Sequence, residues 1–315
     1  MKFRISAYLS ILLVIFVAAC TGGGKKEVII FHAGSLSVPL KEISNTYMAS
    51  HPGVDIKLEG AGSVACARKI TELGKKCDIM ASADYKVIEK FLIPGYAQWD
   101  IRFASNELVI AFTDRSEYSD IISADNWYEI LSQDDVVYGR SDPDADPCGY
   151  RTILMFKLAD MYYDTGNIYK GLKEKDTNMI RPKEVDLVAL LESGALDYIV
   201  QYKSVSEQHG LNYITLPREI NLSDPALNDV YSSVSVDIVG EKPGEYVTVK
   251  GSSMIYALTI PDNAPSVDEA VKFLNFFLGK EGREILAKHG QSPLELNVSG
   301  NTESLPPDLK NLFLK

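Results

Sequence analysis

The chain reads as an α/β protein built in two lobes. Three observations carry that expectation. Short apolar strand patterns alternate with amphipathic helix patterns, and the alternation restarts beyond Phe112. The length of 315 residues is also ample for two cores, at ~100–200 residues per domain.

The elements follow in order. Residues 28–32 form a continuous apolar strand, and 36–48 a helix with Leu36, Leu40, Ile43 and Tyr47 on one face. Strand 54–58 alternates and precedes a helix over 64–73. Another buried strand over 77–81 leads to a helix over 85–91, then to one long strand over 103–112. The second series has a helix at 126–131, a strand at 136–139 and a long helix at 147–163. A helix at 183–191 and a strand at 198–202 follow. Strands 232–239 and 247–260 then lead to amphipathic helices 266–278 and 280–289. This order predicts parallel sheets with helices on both faces. The runs 103–112 and 247–260 would link the lobes, with a ligand cleft between them. Residues 28–112 plus 251–315 are assigned to lobe I and 113–250 to lobe II.

Charge and composition narrow the function. Lys and Arg total 32 against 43 Asp and Glu, a net charge of −11. A general nucleic-acid binder would need a basic face instead. An anionic ligand remains compatible, because a site responds to local fields rather than net charge.

The N-terminus reads as an export signal. Lys2 and Arg4 precede the short apolar core Leu9 to Val17, and Val17-Ala18-Ala19-Cys20 ends it with small residues before a cysteine. That ending resembles a bacterial lipobox, which predicts a signal peptide over 1–19 and lipidation of Cys20. A flexible tether over 20–27 would follow. Removing residues 1–19 takes away two positive charges and no acid, leaving −13. The protein is expected outside the cytoplasmic membrane. Export makes Cys66, Cys77 and Cys148 candidates for a disulfide. Helical residues separating Cys66 from Cys77 disfavour a bridge, so three thiols are expected.

Catalytic signatures are scarce: no Gly-x-Ser-x-Gly, Walker loop, Gly-x-Gly-x-x-Gly or His-Glu-x-x-His occurs. His32, His51, His209 and His289 lack metal-ligand spacing, and His32 reads as a satisfied structural histidine. Tyr162-Tyr163 could suggest ferric iron, but Tyr162 fits the apolar stripe of its helix. What recurs is a small-residue turn that opens a helix just after a strand. It occurs at Ala33-Gly34-Ser35-Leu36 and at Gly60-Ala61-Gly62-Ser63-Val64, with Ser35 and Ser63 expected as N-caps. Asp146-Pro147-Cys148-Gly149 makes a third, with Asp146 as N-cap and Pro147 at the first helical position. Helix N-termini offer free donors and partial positive charge, which suits an oxyanion.

The runs Phe31-His32-Ala33-Gly34-Ser35-Leu36, Ala81-Ser82-Ala83-Asp84-Tyr85 and Asn126-Trp127-Tyr128-Glu129-Ile130-Leu131 resemble those of the archaeal-type tungstate/molybdate-binding proteins. So do Asp146-Pro147-Cys148-Gly149-Tyr150-Arg151, Leu191-Glu192-Ser193-Gly194-Ala195-Leu196-Asp197-Tyr198 and Tyr202-Lys203-Ser204-Val205. These proteins are extracytoplasmic receptors of ABC importers with a two-lobed periplasmic-binding-protein fold, type II-like. The similarity runs from about Val28 to Gly290. It implies a non-enzymatic receptor with no cofactor, whose ligand is tungstate or molybdate and whose oxyanion contacts fall on Gly34, Ser35, Ser63, Asp146, Pro147, Cys148, Glu184 and Tyr202. The carboxylates of Asp146 and Glu184 would join the four oxo ligands around the metal of the bound anion. Mo(VI) and W(VI) accept added oxygen ligands, whereas the centres of sulfate and phosphate do not, so the carboxylates would repel those anions.

The chain is shorter than these relatives between Lys175 and Lys183, and Asp186 competes with Glu184 for the cleft. Placed two residues apart on a helix, about 200° around its axis, only one can face inward. Glu184 is the choice. The expected partners are the small oxyanion, a membrane permease and the lipid bilayer through Cys20, with the protein itself a monomer that binds no nucleic acid. A sulfate or phosphate receptor is the nearest alternative. A ferric-iron receptor and a periplasmic hydrolase using Ser35 are alternatives of other classes.

Overall fold

The computed structural model describes residues 25–240 and 244–313, so the expected signal peptide and Cys20 lie outside the described residues. In chain order the strands are β1 (Lys26–Ala33), β2 (Val54–Ala61), β3 (Ile79–Ser82), β4 (Trp99–Ser105), β5 (Leu108–Phe112), β6 (Tyr138–Ser141) and β7 (Ile180–Arg181). They continue as β8 (Tyr198–Tyr202), β9 (Asn212–Thr215), β10 (Ser235–Val239), β11 (Tyr246–Lys250), β12 (Ile255–Thr259) and β13 (Ser292–Gly300). The helices that place the site are α1 (Ser37–Ser50), α2 (Ser63–Thr71), α3 (Tyr85–Phe91), α4 (Trp127–Leu131), α5 (Pro147–Tyr163), α6 (Ile168–Glu174), α7 (Asp186–Ser193) and α8 (Lys203–His209).

Two sheets define the lobes. A six-stranded sheet runs β13-β4-β12-β3-β1-β2, and a five-stranded sheet runs β7-β6-β8-β5-β9. In the first, β1 pairs parallel with β2 from Lys26↔Val54 to Ala33↔Ala61, and parallel with β3. Strand β12 then pairs antiparallel with β3 and β4, and β13 antiparallel with β4. The second sheet is mixed too, with β6 parallel to β7 and β8 but β5 antiparallel to β8 and β9. The expected purely parallel sheets are therefore corrected. A strand that arrives from the other lobe, instead of through a local helix, has no reason to run parallel.

Alternation along β1 builds the core of the first lobe. Ile30 points into a cluster with Leu40, Ile79, Leu258, Phe273 and Phe277, under α1 and the helix Val267–Leu278. Phe31 points the other way, beneath Lys69 of α2 at 4.8 Å. Each fully buried side chain of this size contributes ~1.5–3 kcal/mol relative to exposure. In the second lobe α5 is buried along most of its length, with Trp127 of α4 stacked on Phe156 at 6.1 Å.

Helices 85–91 and 147–163 and strand 198–202 take the expected bounds. The two long strands do not. The run 103–112 breaks into β4 and β5, each in a different sheet, around Asn106. The Asn106 amide takes over backbone roles there: its Oδ1 accepts from Glu107 N–H (2.9 Å) and Ser204 N–H (3.3 Å). The run 247–260 likewise breaks into β11 and β12. Gly251 lies so close to Tyr231 that an added Cβ would stand 2.1 Å from its carbonyl oxygen. Strand β11 pairs instead with β10 in a separate antiparallel two-stranded sheet. Its β10 neighbour begins at Ser235, later than expected.

That two-stranded sheet straps the lobes together. Arg68 of α2 donates to Val239 O (2.5 Å), Lys86 and Lys90 of α3 to Lys250 O and Thr248 O, and Lys157 of α5 to Ser235 O. Cys66, Cys77 and Cys148 are buried free thiols, as expected. Tyr162 is not part of the apolar stripe of its helix. It is 48% exposed, because the last turn of α5 has run past the core, and the Tyr163 hydroxyl turns away to donate to Ala124 O.

Candidate functional site

The expected site residues arrive at one place, the buried interface where the lobes meet. Strand β1 delivers Gly34 and Ser35 in a 3₁₀ turn ahead of α1. Strand β2 delivers Ser63 as the first residue of α2. Asp146, Pro147 and Cys148 stand at the start of α5, Glu184 in the turn before α7, and Tyr202 at the end of β8. All of these are buried.

Neither serine is a helix cap. Ser63 already has helical geometry, Gly62 occupies the cap position, and the Ser63 hydroxyl accepts from Ala83 N–H at 3.0 Å. Ser35 lies within the 3₁₀ turn, and its hydroxyl accepts from the Tyr256 hydroxyl at 3.0 Å. The Tyr256 oxygen is in turn held by Asn106 Nδ2 at 2.9 Å. Tyr202 follows the same rule, its hydroxyl accepting from Arg151 Nη1 at 3.0 Å. A hydroxyl has one proton and two acceptor lone pairs. Each of the three therefore has an accepting position filled by protein and keeps its proton to give.

The acceptors opposite them are carboxylates. Asp146 is the N-cap residue of α5, with Pro147 following it, but its side chain makes no capping bond. Its Oδ2 accepts from Glu184 N–H at 3.1 Å, tying the two turns together. Gln201 Nε2 donates to Glu184 O at 3.0 Å and fixes the same turn from β8. Asp146 Oδ1 and both Glu184 carboxylate oxygens are buried without a well-formed hydrogen bond, although the two carboxyls lie against each other, with Ser141 and the Cys148 N–H beside Asp146 and the Ser35 N–H beside Glu184. Leaving a buried polar group unpaired costs ~1–3 kcal/mol, more for a charge. Burial accordingly pushes the Asp146 carboxyl up to about 6. It pushes Glu184 well above the usual carboxylate range, with the neighbouring Asp146 charge adding to the effect. Burial also raises Tyr202, which stays a proton donor at neutral pH. Asp186 is half-exposed and pairs with Lys183 at 3.4 Å, so Glu184 is the inward carboxylate. Cys148 turns its thiol toward Val200 O at 3.7 Å.

The lobes touch closely here. A Cβ on Gly62 would stand 2.2 Å from Ala145 O and 3.0 Å from Asp146 Cβ, and Ala65 N–H donates to Ala145 O at 3.2 Å. Sequence reasoning missed a second set of residues in this interface. Arg151 of α5 pairs with Asp84 at 2.9 Å, both nearly inaccessible to solvent. Tyr150 also donates to Asp84, at 2.8 Å. The available signal was a charged residue placed within the long apolar run of α5. His32 is buried with its Nδ1 2.8 Å from Ala33 O, in keeping with a structural histidine.

A family model described as bacterial extracellular solute-binding protein matches residues 28–291. The chain belongs to this family. Among solute-binding relatives, an uncharacterized one from Petrotoga mobilis is 48% identical over 290 residues, covering 92% of this chain and 90% of the relative. The molybdate/tungstate-binding protein WtpA of Pyrococcus abyssi is 42% identical over 339 aligned positions, covering 96% of each chain. WtpA of Thermococcus kodakarensis is 41% identical, covering 96% of this chain and 94% of its own.

Solved structures of similar fold include the periplasmic molybdate-binding protein of Azotobacter vinelandii. Its TM-score is 0.59 at 13% identity, over 84% of this chain and 98% of that one. The sulfate-binding protein SubI of Mycobacterium tuberculosis also has a TM-score of 0.59, at 14% identity over 86% and 88%. At such identities the likeness concerns the two-lobed fold. As an extracellular solute-binding protein the chain is a receptor rather than an enzyme, and it acts outside the cytoplasm. Among the described residues no helix is long and apolar enough to cross a membrane.

Proposed function

We propose that this solute-binding protein captures tungstate or molybdate between its closed lobes and delivers it to an ABC permease. One observation carries the reading. Three hydroxyls with protons to give (Ser35, Ser63 and Tyr202) share a buried interface with carboxylate oxygens of Asp146 and Glu184 that make no well-formed hydrogen bond. Hydroxyl donors suit the oxo groups of any tetrahedral anion. Once ionised, the carboxylates suit an anion whose central atom accepts further oxygen ligands, which W(VI) and Mo(VI) do. Sulfate would meet the same ionised carboxylates as repulsion. The identity to relatives named for molybdate and tungstate supports the same choice.

In this reading Gly34, Ser35 and Ser63 close from lobe I onto an anion held by Asp146, Pro147, Cys148, Glu184 and Tyr202 of lobe II. Lobe I follows the six-stranded sheet and lobe II the five-stranded sheet, with the chain crossing at Asn106 and again between β11 and β12. The mature receptor begins at Cys20 as a monomeric, lipid-anchored chain. Cys20→Ala releases it from membranes or stalls its processing; unchanged membrane association removes the anchor.

Calorimetric titration of the purified protein with tungstate, molybdate, sulfate and phosphate tests the ligand. Tight binding of the first two over the others is expected. Preference for sulfate or phosphate would transfer the protein to that receptor class.

A further inference from the structure

We propose that Asp84 and Arg151 form the closure latch of this receptor, a pair that assembles only when the lobes meet and that holds Arg151 in place on the Tyr202 hydroxyl, a contact of the captured anion. Asp84 caps α3 in lobe I through Lys86 N–H at 2.9 Å. Arg151 lies on α5 in lobe II. Their ion pair at 2.9 Å therefore spans the cleft, as does the Tyr150 hydroxyl bond to the same carboxylate. Opening the lobes must separate them.

The latch is wired to the site at both ends. Arg151 Nη1 donates to Ala83 O at 2.8 Å and to Tyr202 Oη at 3.0 Å. The N–H of the same Ala83 donates to Ser63 Oγ. One guanidinium thus links a lobe I hydroxyl contact, through a single residue, to the lobe II hydroxyl contact. By filling one accepting position of Tyr202 it turns the hydroxyl so that its proton is available to the anion. An open cleft leaves Arg151 beside Tyr202, its lobe II neighbour, but takes away Asp84 and Ala83 O, which fix the guanidinium in place, so shutting the lobes steadies the hydroxyl that contacts the anion. Arg supplies this with a planar fork of donors that Lys lacks. A pair buried this fully is costly to break by halves, because the partner left behind stays charged and dry only while the lobes are closed.

The inference rests on the oxyanion reading, and its test separates the two. Wild type, Asp84→Asn, Arg151→Lys, Tyr202→Phe and the Asp84→Asn/Tyr202→Phe double variant are compared. Tungstate association and release are followed by stopped-flow fluorescence, and the radius of gyration by small-angle X-ray scattering with and without tungstate. Asn caps a helix about as well as Asp, so the first variant keeps its fold, which a melting curve verifies. Its tungstate release is expected to accelerate roughly tenfold or more, with association changed less than about threefold. Without ligand it is expected to be more expanded than wild type. Arg151→Lys should behave like Asp84→Asn despite keeping the charge. The double variant should release tungstate about as fast as the faster single variant, since both changes cut one chain of bonds. Wild-type release and compactness in Asp84→Asn, or multiplying effects in the double variant, overturn the latch. Failure of wild type to bind tungstate or molybdate overturns the oxyanion reading instead. The latch is then decided by the ligand-free radius of Asp84→Asn, expansion upholding it and wild-type compactness rejecting it.

Discussion

A Cβ placed on Gly34 would stand 3.0 Å from both carboxylate oxygens of Glu184. The turn that opens the first helix of lobe I and the turn before α7 of lobe II thus come close enough that a methyl group on Gly34 would crowd the Glu184 carboxylate. Gly34→Ala should weaken tungstate binding by ~1–3 kcal/mol, the usual cost of overpacking. Gly62→Ala should do worse, because its Cβ would stand 2.2 Å from a backbone oxygen that has little freedom to retreat. Titration calorimetry of both variants checks the order. Equal, wild-type affinities would mean that the ligand does not require these contacts.

Neutralising the carboxylates separates two accounts of them. If Asp146 and Glu184 only hold their turns together, Asp146→Asn and Glu184→Gln should help an anion bind, since negative charge leaves the cleft. If they ligate the metal, tungstate affinity falls while sulfate affinity stays or rises, because an amide oxygen is the poorer ligand. Competition of tungstate against sulfate in each variant reads the difference. Tighter tungstate binding by the folded double variant would end the coordination argument.

The same pair fixes how stability responds to pH without ligand. Asp146 is raised from 3.8 to about 6 in the folded protein, so the native state holds a proton that the unfolded chain has lost. Its contribution is complete below the unfolded value and is lost as pH rises through about 6. Glu184, raised above 4.5, extends the loss to higher pH. Urea unfolding between about pH 4 and 8 should therefore show a downward slope that is shallower in the Asp146→Asn/Glu184→Gln variant, where buried Asp100, likewise raised to about 6, still contributes. Identical slopes in the two proteins would contradict the shared burial.

Ser35 and Ser63 each accept a protein hydrogen bond and keep a proton to donate. Ser35→Ala and Ser63→Ala should each cost ~1.5–3 kcal/mol of tungstate binding, the range for hydrogen bonds to a charged group. Ser63→Ala should also lower the melting temperature, because the buried Ala83 N–H loses its acceptor. Full affinity in the double serine variant would place the anion elsewhere.

Local patterns in the sequence marked the elements and turns that meet between the lobes better than they described the bonding there. Pro147 after Asp146 marked the start of α5 correctly, and the apolar run Tyr198 to Tyr202 marked β8. Ser35 and Ser63 reached the interface as expected, yet as acceptors from Tyr256 and Ala83 rather than as caps. Those partners lie 221 and 20 residues away, beyond any local signal. The run 103–112 failed for a related reason. An apolar stretch records burial but not which sheet buries it, and only the side-chain bonds of Asn106 reveal the crossing. The Asp84–Arg151 pair was hidden because each residue, read alone, is an ordinary helix-start acid or helix cation.

The strap of β10 and β11 buries Ile238 and Val249 in the core, and its polar attachments fall on its main chain. Arg68, Lys86, Lys90 and Lys157 all donate to backbone carbonyls, and Asp144 accepts from Val239 N–H. A carbonyl is the same whatever side chain it carries. Beyond the buried Ile238 and Val249, the side chains of the strap are therefore largely uncoupled from its polar attachment, and its exposed positions, such as Tyr246, are free to drift or be engineered. A label or affinity handle could be introduced at such a position with the mooring left intact.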